Sequence, residues 1–517
     1  RGHSLERSRY RHCLAGCRPD TFSEGPGASA AERHVVIVAC NIMFQKNIPH
    51  SLNLAFISGI KSIAELSERE YQTNNLKNHE FLNIRKIIQK ILPKNKFARN
   101  ATILSGGTLL GQGLAVIAAP LLTRLYDPAD FGVLAIFVSI LSILAVIVSL
   151  KYQLAVTLPS EDSLAINIVA LAIIIVCFIT LLSGLCLYFL DDEIVHLLNM
   201  PALKSYLWLI PLSLFGVGIY QVLTYWAIRR EDFNRIARTK ISQGVGMVST
   251  QIIVGLIFKG PLGLLLGDVV GRASGGGTLA TLLWKNDRKL LKEITIKRMK
   301  EQGSRYKNFP LISSLSGLIN STGLQVAPIM LASFYSAAVV GWFSLTQRII
   351  GIPMRLIGLS LEQIYISETA RLAREDSARL KRLYIEQAKK LALLGAVPIL
   401  ILGLSAPLFF SFIFGSSWHE AGRYAQVFSI MFAIQFVVGP LSQTLNILEC
   451  QSMQLVWDSG RLLTVIISIY ICTVFQYSAF TVMIVYSVVM SIAYLVLLFM
   501  GYYAIQKMDC SEIKKET

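Results

Sequence analysis

Residues Leu462–Gln506 read LLTVIISIYICTVFQYSAFTVMIVYSVVMSIAYLVLLFMGYYAIQ, 45 residues without one Asp, Glu, Lys or Arg. A bilayer core takes roughly 20 apolar residues of helix. The run is therefore two crossings, divided by the polar dip Gln476-Tyr477-Ser478. Working back toward the N-terminus, similar spans fall near residues 101–122, 131–150, 164–190, 205–228, 241–258, 262–284, 311–334, 337–358, 391–414 and 424–447. With 462–476 and 478–505 they make twelve spans and predict an all-α integral membrane protein. The turns between them are too short to hold a separate enzymatic domain.

Composition agrees, with 53% hydrophobic residues, 16% charged residues and a mean hydropathy of +0.54. A net charge of +17 invites a nucleic-acid reading, but its distribution opposes it. The turns after odd-numbered spans hold four basic residues, Arg124, Lys204, Lys259 and Arg423. The opposite side holds 26 between Lys151 and the C-terminus, and six more in residues 85–99. Under the positive-inside rule both termini and the basic loops are cytoplasmic, so the charge faces a membrane, not nucleic acid. The eight cysteines form no convincing extracytoplasmic pair, and only His196 and His419 lie beyond residue 80, so neither a disulfide nor a metal site is expected.

The first 80 residues carry five of the seven histidines, no cleavable signal pattern and no apolar stretch long enough to span. They are expected to be a doubtful or disordered extension. In residues 81–100, Phe81, Ile84, Ile88, Ile91 and Leu92 keep helical spacing among basic residues. That pattern fits a basic juxtamembrane helix, or simply a topogenic positive cluster. Residues 101–284 hold spans 1–6 and residues 311–505 hold spans 7–12, with residues 506–517 as a tail. The dividing linker, Lys285–Pro310, has nine basic and three acidic residues. Across it runs a weak echo. Tyr126-Asp-Pro-Ala-Asp-Phe-Gly132 follows span 1 and Tyr335-Ser-Ala-Ala-Val-Val-Gly341 follows span 7; Gln221-Val-Leu-Thr pairs with Gln443-Thr-Leu-Asn. Six spans lie between copies, so the repeat is parallel, about an axis along the membrane normal.

The run Ala119-Pro-Leu-Leu-Thr-Arg-Leu-Tyr-Asp-Pro-Ala-Asp-Phe-Gly132 resembles the span 1–2 signature of polysaccharide-biosynthesis flippases, the O-antigen (Wzx-type) translocases. Leu150–Pro159, Gly263–Arg272, Tyr306–Pro310 and Phe414–Gly422 resemble further family segments in the same order, so the resemblance covers roughly residues 85–505. It implies two six-helix lobes around a central cavity. It also implies a substrate: an oligosaccharide on a polyprenyl pyrophosphate, an O-antigen, capsule or exopolysaccharide repeat unit. The place is then the bacterial cytoplasmic membrane, with membrane lipids, a polysaccharide polymerase and chain-length machinery as partners.

An anionic head crossing hydrocarbon needs cationic groups in a hydrated cavity, and cations within spans persist only beside a cavity or a partner. Arg348 lies about eleven residues into span 8, with Arg355 two turns further along the same face. Both suit phosphate because the guanidinium fork donates two hydrogen bonds. The alternatives are a structural ion pair for Arg348 and an interfacial position for Arg355. Asp268 and Arg272 form an i, i+4 pair beside Gly263, Gly267, Gly271 and Gly275. They read either as tight packing with a self-neutralised pair, or as an ion-coupling Asp268 that releases Arg272 to substrate. Glu362 is a second ion-coupling candidate, and Arg124 a substrate candidate unless it pairs within the Asp127–Asp130 turn. Gln112 and Gln325, with Gln221, Asn320 and Gln443, offer hydrogen bonds to sugar hydroxyls or to neighbouring helices. No cofactor is expected beyond a proton or sodium gradient. The competing functions are a multidrug/toxin extruder of the same superfamily and a polysaccharide-assembly membrane enzyme. Few acids in the spans oppose the first, and the short outer loops without paired carboxylates oppose the second.

Overall fold

Hydrophobic spans become helices here because a backbone in hydrocarbon has no other way to satisfy its hydrogen bonds. The computed structural model describes residues 96–516 apart from 376 and 449. The extension and most of the 81–100 segment lie outside the described residues. Among the described residues there is no strand, and every predicted span is helical. Nine helices among the described residues are long and apolar enough to cross a membrane. The other three passages are irregular or strongly charged at one end. Span 6 breaks into Leu262–Ala273 and Gly276–Asn286 at Gly275, where φ is +96° and a side chain would be strained. Span 8 runs from Ala337–Thr346 through a π-helical turn, Gln347–Gly351, into Ile352–Glu375. Pro353 lacks an N–H and its ring crowds the carbonyl four residues back, which accounts for the widened turn before it. Span 9 lies in Ser377–Phe414, with its apolar end at Ile401–Phe414.

Several helices outrun their apolar windows. Span 5 starts at Phe233 rather than 241, and span 11 at Gln451 rather than 462. The segment between spans 8 and 9, expected as a loop, is helical except at the undescribed residue 376. Hydropathy marks where a helix can sit in lipid, whereas Ala, Leu, Glu, Lys and Arg carry it on into water. The linker is also ordered: Arg288–Leu291 and Ile296–Arg305 are helical. Asn167 at the start of span 3 pins it, accepting from Thr295 N–H at 2.9 Å and donating to the Glu293 carbonyl at 3.2 Å. Tyr152 adds a hydrogen bond to the Gly303 carbonyl at 2.9 Å. Within the linker Asp287 pairs with Arg230, and Asp162 at the start of span 3 pairs with both Arg229 and Arg230.

Odd-to-even turns share one end of the bundle, the hairpin face, and the linker lies at the other. On the hairpin face the sequence echo becomes a contact. Asp127 and Asp130 form a capping box that starts span 2 at Pro128, and the Ser336 side chain caps span 8. The fifth residue of each helix is the echoed glycine. A Cβ on Gly132 would stand 1.9 Å from the Ala337 carbonyl oxygen, and one on Gly341 1.8 Å from that of Pro128. Each glycine thus faces the first carbonyl of the other half's helix, as a parallel two-fold repeat requires. Trp418 reinforces the closure, donating to the Thr123 carbonyl at 3.0 Å and meeting Phe131 edge-on at 4.9 Å. Large side chains such as Phe178, Leu404 and Phe412 point outward, an apolar surface that suits lipid rather than water.

Candidate functional site

Between the lobes lies a cavity of about 920 Å³, lined by spans 1, 2, 4, 5 and 6 on one side and 7, 8, 10, 11 and 12 on the other. Among the described residues its wall holds four cations, Lys240, Arg272, Arg348 and Arg461, against one carboxylate, Asp268. The formal charge of the lining is therefore three positive. Seven glutamines and four tyrosines supply most of its remaining polarity, enough to meet many hydroxyls at once.

On the N-lobe wall, Asp268 is nearly buried and accepts from Arg272 Nε at 2.6 Å. The glycine stripe beside them lets span 6 lie against span 5. Cβ atoms on Gly267 and Gly271 would meet Gln251 and Met247 well inside contact distance. Packing and self-neutralised pairing, the structural side of the sequence reading, are both present. Span 1 meets span 5 as closely, through Gly111 and Gly244, which sets Gln112 at the cavity edge. Lys240 rests over the Tyr220 ring at 4.8 Å. The side-chain oxygens of Gln112, Gln221 and Gln251 are buried without a hydrogen-bond partner among the described residues. Such groups are costly unless something in the cavity completes them.

Arg348 projects from the π-helical turn of the C-lobe and lines the same cavity. No carboxylate lies within ion-pairing distance of it among the described residues, although the field of Asp268 reaches it. Among the described residues Arg348 thus makes no ion pair of the kind weighed as its alternative role. Gln325 also lines the wall and accepts from Ser139 Oγ at 2.9 Å, a bond that joins the lobes. Other residues singled out by sequence fall elsewhere. Arg124 is exposed near the hairpin face, away from the cavity, and forms no ion pair with Asp127 or Asp130, whose side chains cap span 2. Glu362 lines a separate pocket of about 100 Å³ and accepts from Gln443 Nε2 at 2.8 Å. The side chain of Arg355 lies outside the described residues. Gln221 and Gln443, matched by the second echo, diverge: only Gln221 reaches the main cavity.

Two cavity cations escaped the sequence reading. Lys240 and Arg461 stand one residue before their apolar windows, where the sequence places them among the cytoplasmic loop charges. The helices start earlier than the windows, so both sit on the cavity wall. The local signal was present in Trp457-Asp-Ser-Gly-Arg461, an acid and base one helical turn apart.

Two six-span lobes around such a cavity define a polytopic transporter fold. A multidrug resistance MATE family transporter of the MOP superfamily, solved facing inward, superposes with a TM-score of 0.61 at 12% identity, over 78% of this chain and 95% of that one. The lipid II flippase MurJ in an inward closed conformation gives 0.61 at 12% identity, over 79% and 90%. The chain itself belongs to the family of polysaccharide biosynthesis proteins, which its residues 121–423 match. It is also similar to the teichuronic acid biosynthesis protein TuaB of Bacillus subtilis, 23% identical over 282 residues. That match takes in 54% of this chain and spans little more than half, 56%, of the relative.

Proposed function

We propose that this protein is a flippase that carries a polyprenyl-pyrophosphate-linked oligosaccharide across the bacterial cytoplasmic membrane by alternating access. One observation carries the reading: an interlobe cavity whose described lining holds four cations to one carboxylate, with seven glutamines and four tyrosines among its other residues. An anionic diphosphate head is costly in hydrocarbon and needs such a lining, while its lipid tail stays in the bilayer. The glutamines and tyrosines suit sugar hydroxyls, and about 920 Å³ is at the large end of ligand sites, roughly 300–1,000 Å³. An exporter of organic cations fits the same fold, but this charge repels its cargo. Membership of a polysaccharide biosynthesis family supports the same choice. In this reading the linker face and both termini are cytoplasmic, the closed hairpin face is periplasmic, and polymerase and chain-length proteins receive the cargo. A proton or sodium gradient drives the cycle, with Asp268 and Glu362 as the exchanging carboxylates.

Arg348→Ala tests the proposal in a strain lacking its own flippase, with surface polysaccharide and protein level read together. The variant should insert, because removing a charge from a span does not oppose insertion. It should lose surface polysaccharide and leave lipid-linked intermediate on the inner leaflet. Arg348→Lys should recover part of the activity, keeping the charge without the fork. Wild-type polysaccharide from normally expressed Arg348→Ala would remove this residue from the mechanism.

A further inference from the structure

Arg461 lies in span 11, on the cavity wall, with its side chain only 8% exposed. A guanidinium has five N–H donors, and a buried one serving structure alone is expected to have them met by well-placed acceptors. Here Nη2 reaches Asp458 Oδ1 at 3.3 Å, beyond the usual length of a charge-assisted bond. Asp458 is shared with Gln454, whose Nε2 lies 3.3 Å away. Nε is buried with no acceptor among the described residues.

The surroundings hold the group in place without neutralising it. The Trp457 ring lies 4.8 Å from it, and that indole is pinned by a 2.7 Å hydrogen bond to the Ala493 carbonyl. Tyr494 packs against Trp457 with ring centroids 6.0 Å apart, and its hydroxyl stands beside Arg461 and Gln435. Across the gap, a Cβ on Gly323 would stand 3.6 Å from Nη2, an ordinary van der Waals contact, so span 7 approaches the guanidinium closely. A positioned cation, weakly paired and with a donor unspent, is the arrangement an incoming oxyanion completes.

We propose that Arg461 forms an anion subsite of the cavity that takes a phosphate of the cargo's diphosphate, and that Asp458 holds the guanidinium while the cavity is empty and cedes it on loading. This rests on the flippase reading and adds to Arg348 a second cation for the head on the C-lobe wall. A phosphate fits better than a sugar hydroxyl, because two of its oxygens can meet the fork at once and charge is attracted strongly in a weakly polar site.

The test uses the purified full chain in phosphatidylcholine nanodiscs, titrated with geranylgeranyl diphosphate and followed by tryptophan fluorescence and thermal shift. Arg461→Gln should weaken binding by about tenfold or more, the usual scale of a lost charge-assisted hydrogen bond. Arg461→Lys should fall between it and wild type. Asp458→Asn should tighten binding about three- to tenfold, since a competing charge is removed. That variant keeps the cation and tests the exchange even if Arg461→Gln fails to fold. Wild-type affinity in folded Arg461→Gln, or Asp458→Asn binding as weakly as Arg461→Gln, would overturn the subsite and leave the flippase reading standing. Failure of wild type to bind the diphosphate would overturn both. Equal, Arg461-dependent binding of phosphatidylglycerol would overturn the assignment to cargo in favour of ordinary membrane phosphate.

Discussion

Gly132→Ala should hold the hairpin face open. The added methyl would stand 1.9 Å from the Ala337 carbonyl oxygen, where real Cβ contacts essentially never fall below 3.0 Å. The obstacle is backbone at the first turn of a capped helix, so no side chain can swing aside. Spans 2 and 8 must separate locally by about 1 Å or more. Overpacking of this kind costs about 1–3 kcal/mol. The helix gains back up to about 1 kcal/mol from replacing glycine by alanine. If the cost falls on the closed conformer alone, each net 1.4 kcal/mol shifts the closed-to-open ratio about tenfold. Gly341→Ala meets the Pro128 carbonyl at 1.8 Å and should behave alike. The double variant should add less than the sum, because one separation relieves both clashes. The assay is labelling of a cysteine placed at Val340, buried in the closed face, with a membrane-impermeant thiol reagent on intact cells. Gly132→Ala should speed labelling and depress transport at normal protein level. Gly106→Ala and Gly113→Ala, whose added methyls meet nothing within 4 Å, should do neither. Unchanged labelling and full transport in both clamp variants would refute the gate.

Glu362→Gln should break its part in coupling, leaving diphosphate binding intact while transport loses its dependence on the gradient; gradient-dependent transport at the wild-type rate would remove Glu362 from coupling. Cysteines placed in residues 285–310 should resist the impermeant reagent in intact cells and react after permeabilisation. Labelling without permeabilisation would invert the proposed orientation.

Hydropathy and basic-residue asymmetry together made the membrane class, the twelve spans and the two halves readable along the chain. These are local properties: each apolar window must be helical and must sit in lipid, whatever its neighbours. The glycine echo was also legible as a repeat, and so was the Asp268–Arg272 pair, because i, i+4 proximity is guaranteed within one helix. What the residues face was not legible. Arg124 and Arg348 are both arginines within or at the end of spans, yet one is exposed near a turn and the other lines the cavity. Lys240 and Arg461 looked like loop charges because a hydropathy window ends where polarity begins, while the helix continues. Gly132 and Gly341 became a clamp only when two helices from opposite halves met at their first turns. Periodicity along a helix assigns its faces. Which faces enclose a cavity, and which cation is left there without an acid, depends on contacts between spans far apart in sequence, such as Ser139 with Gln325 at a separation of 186 residues, and those are decided by packing.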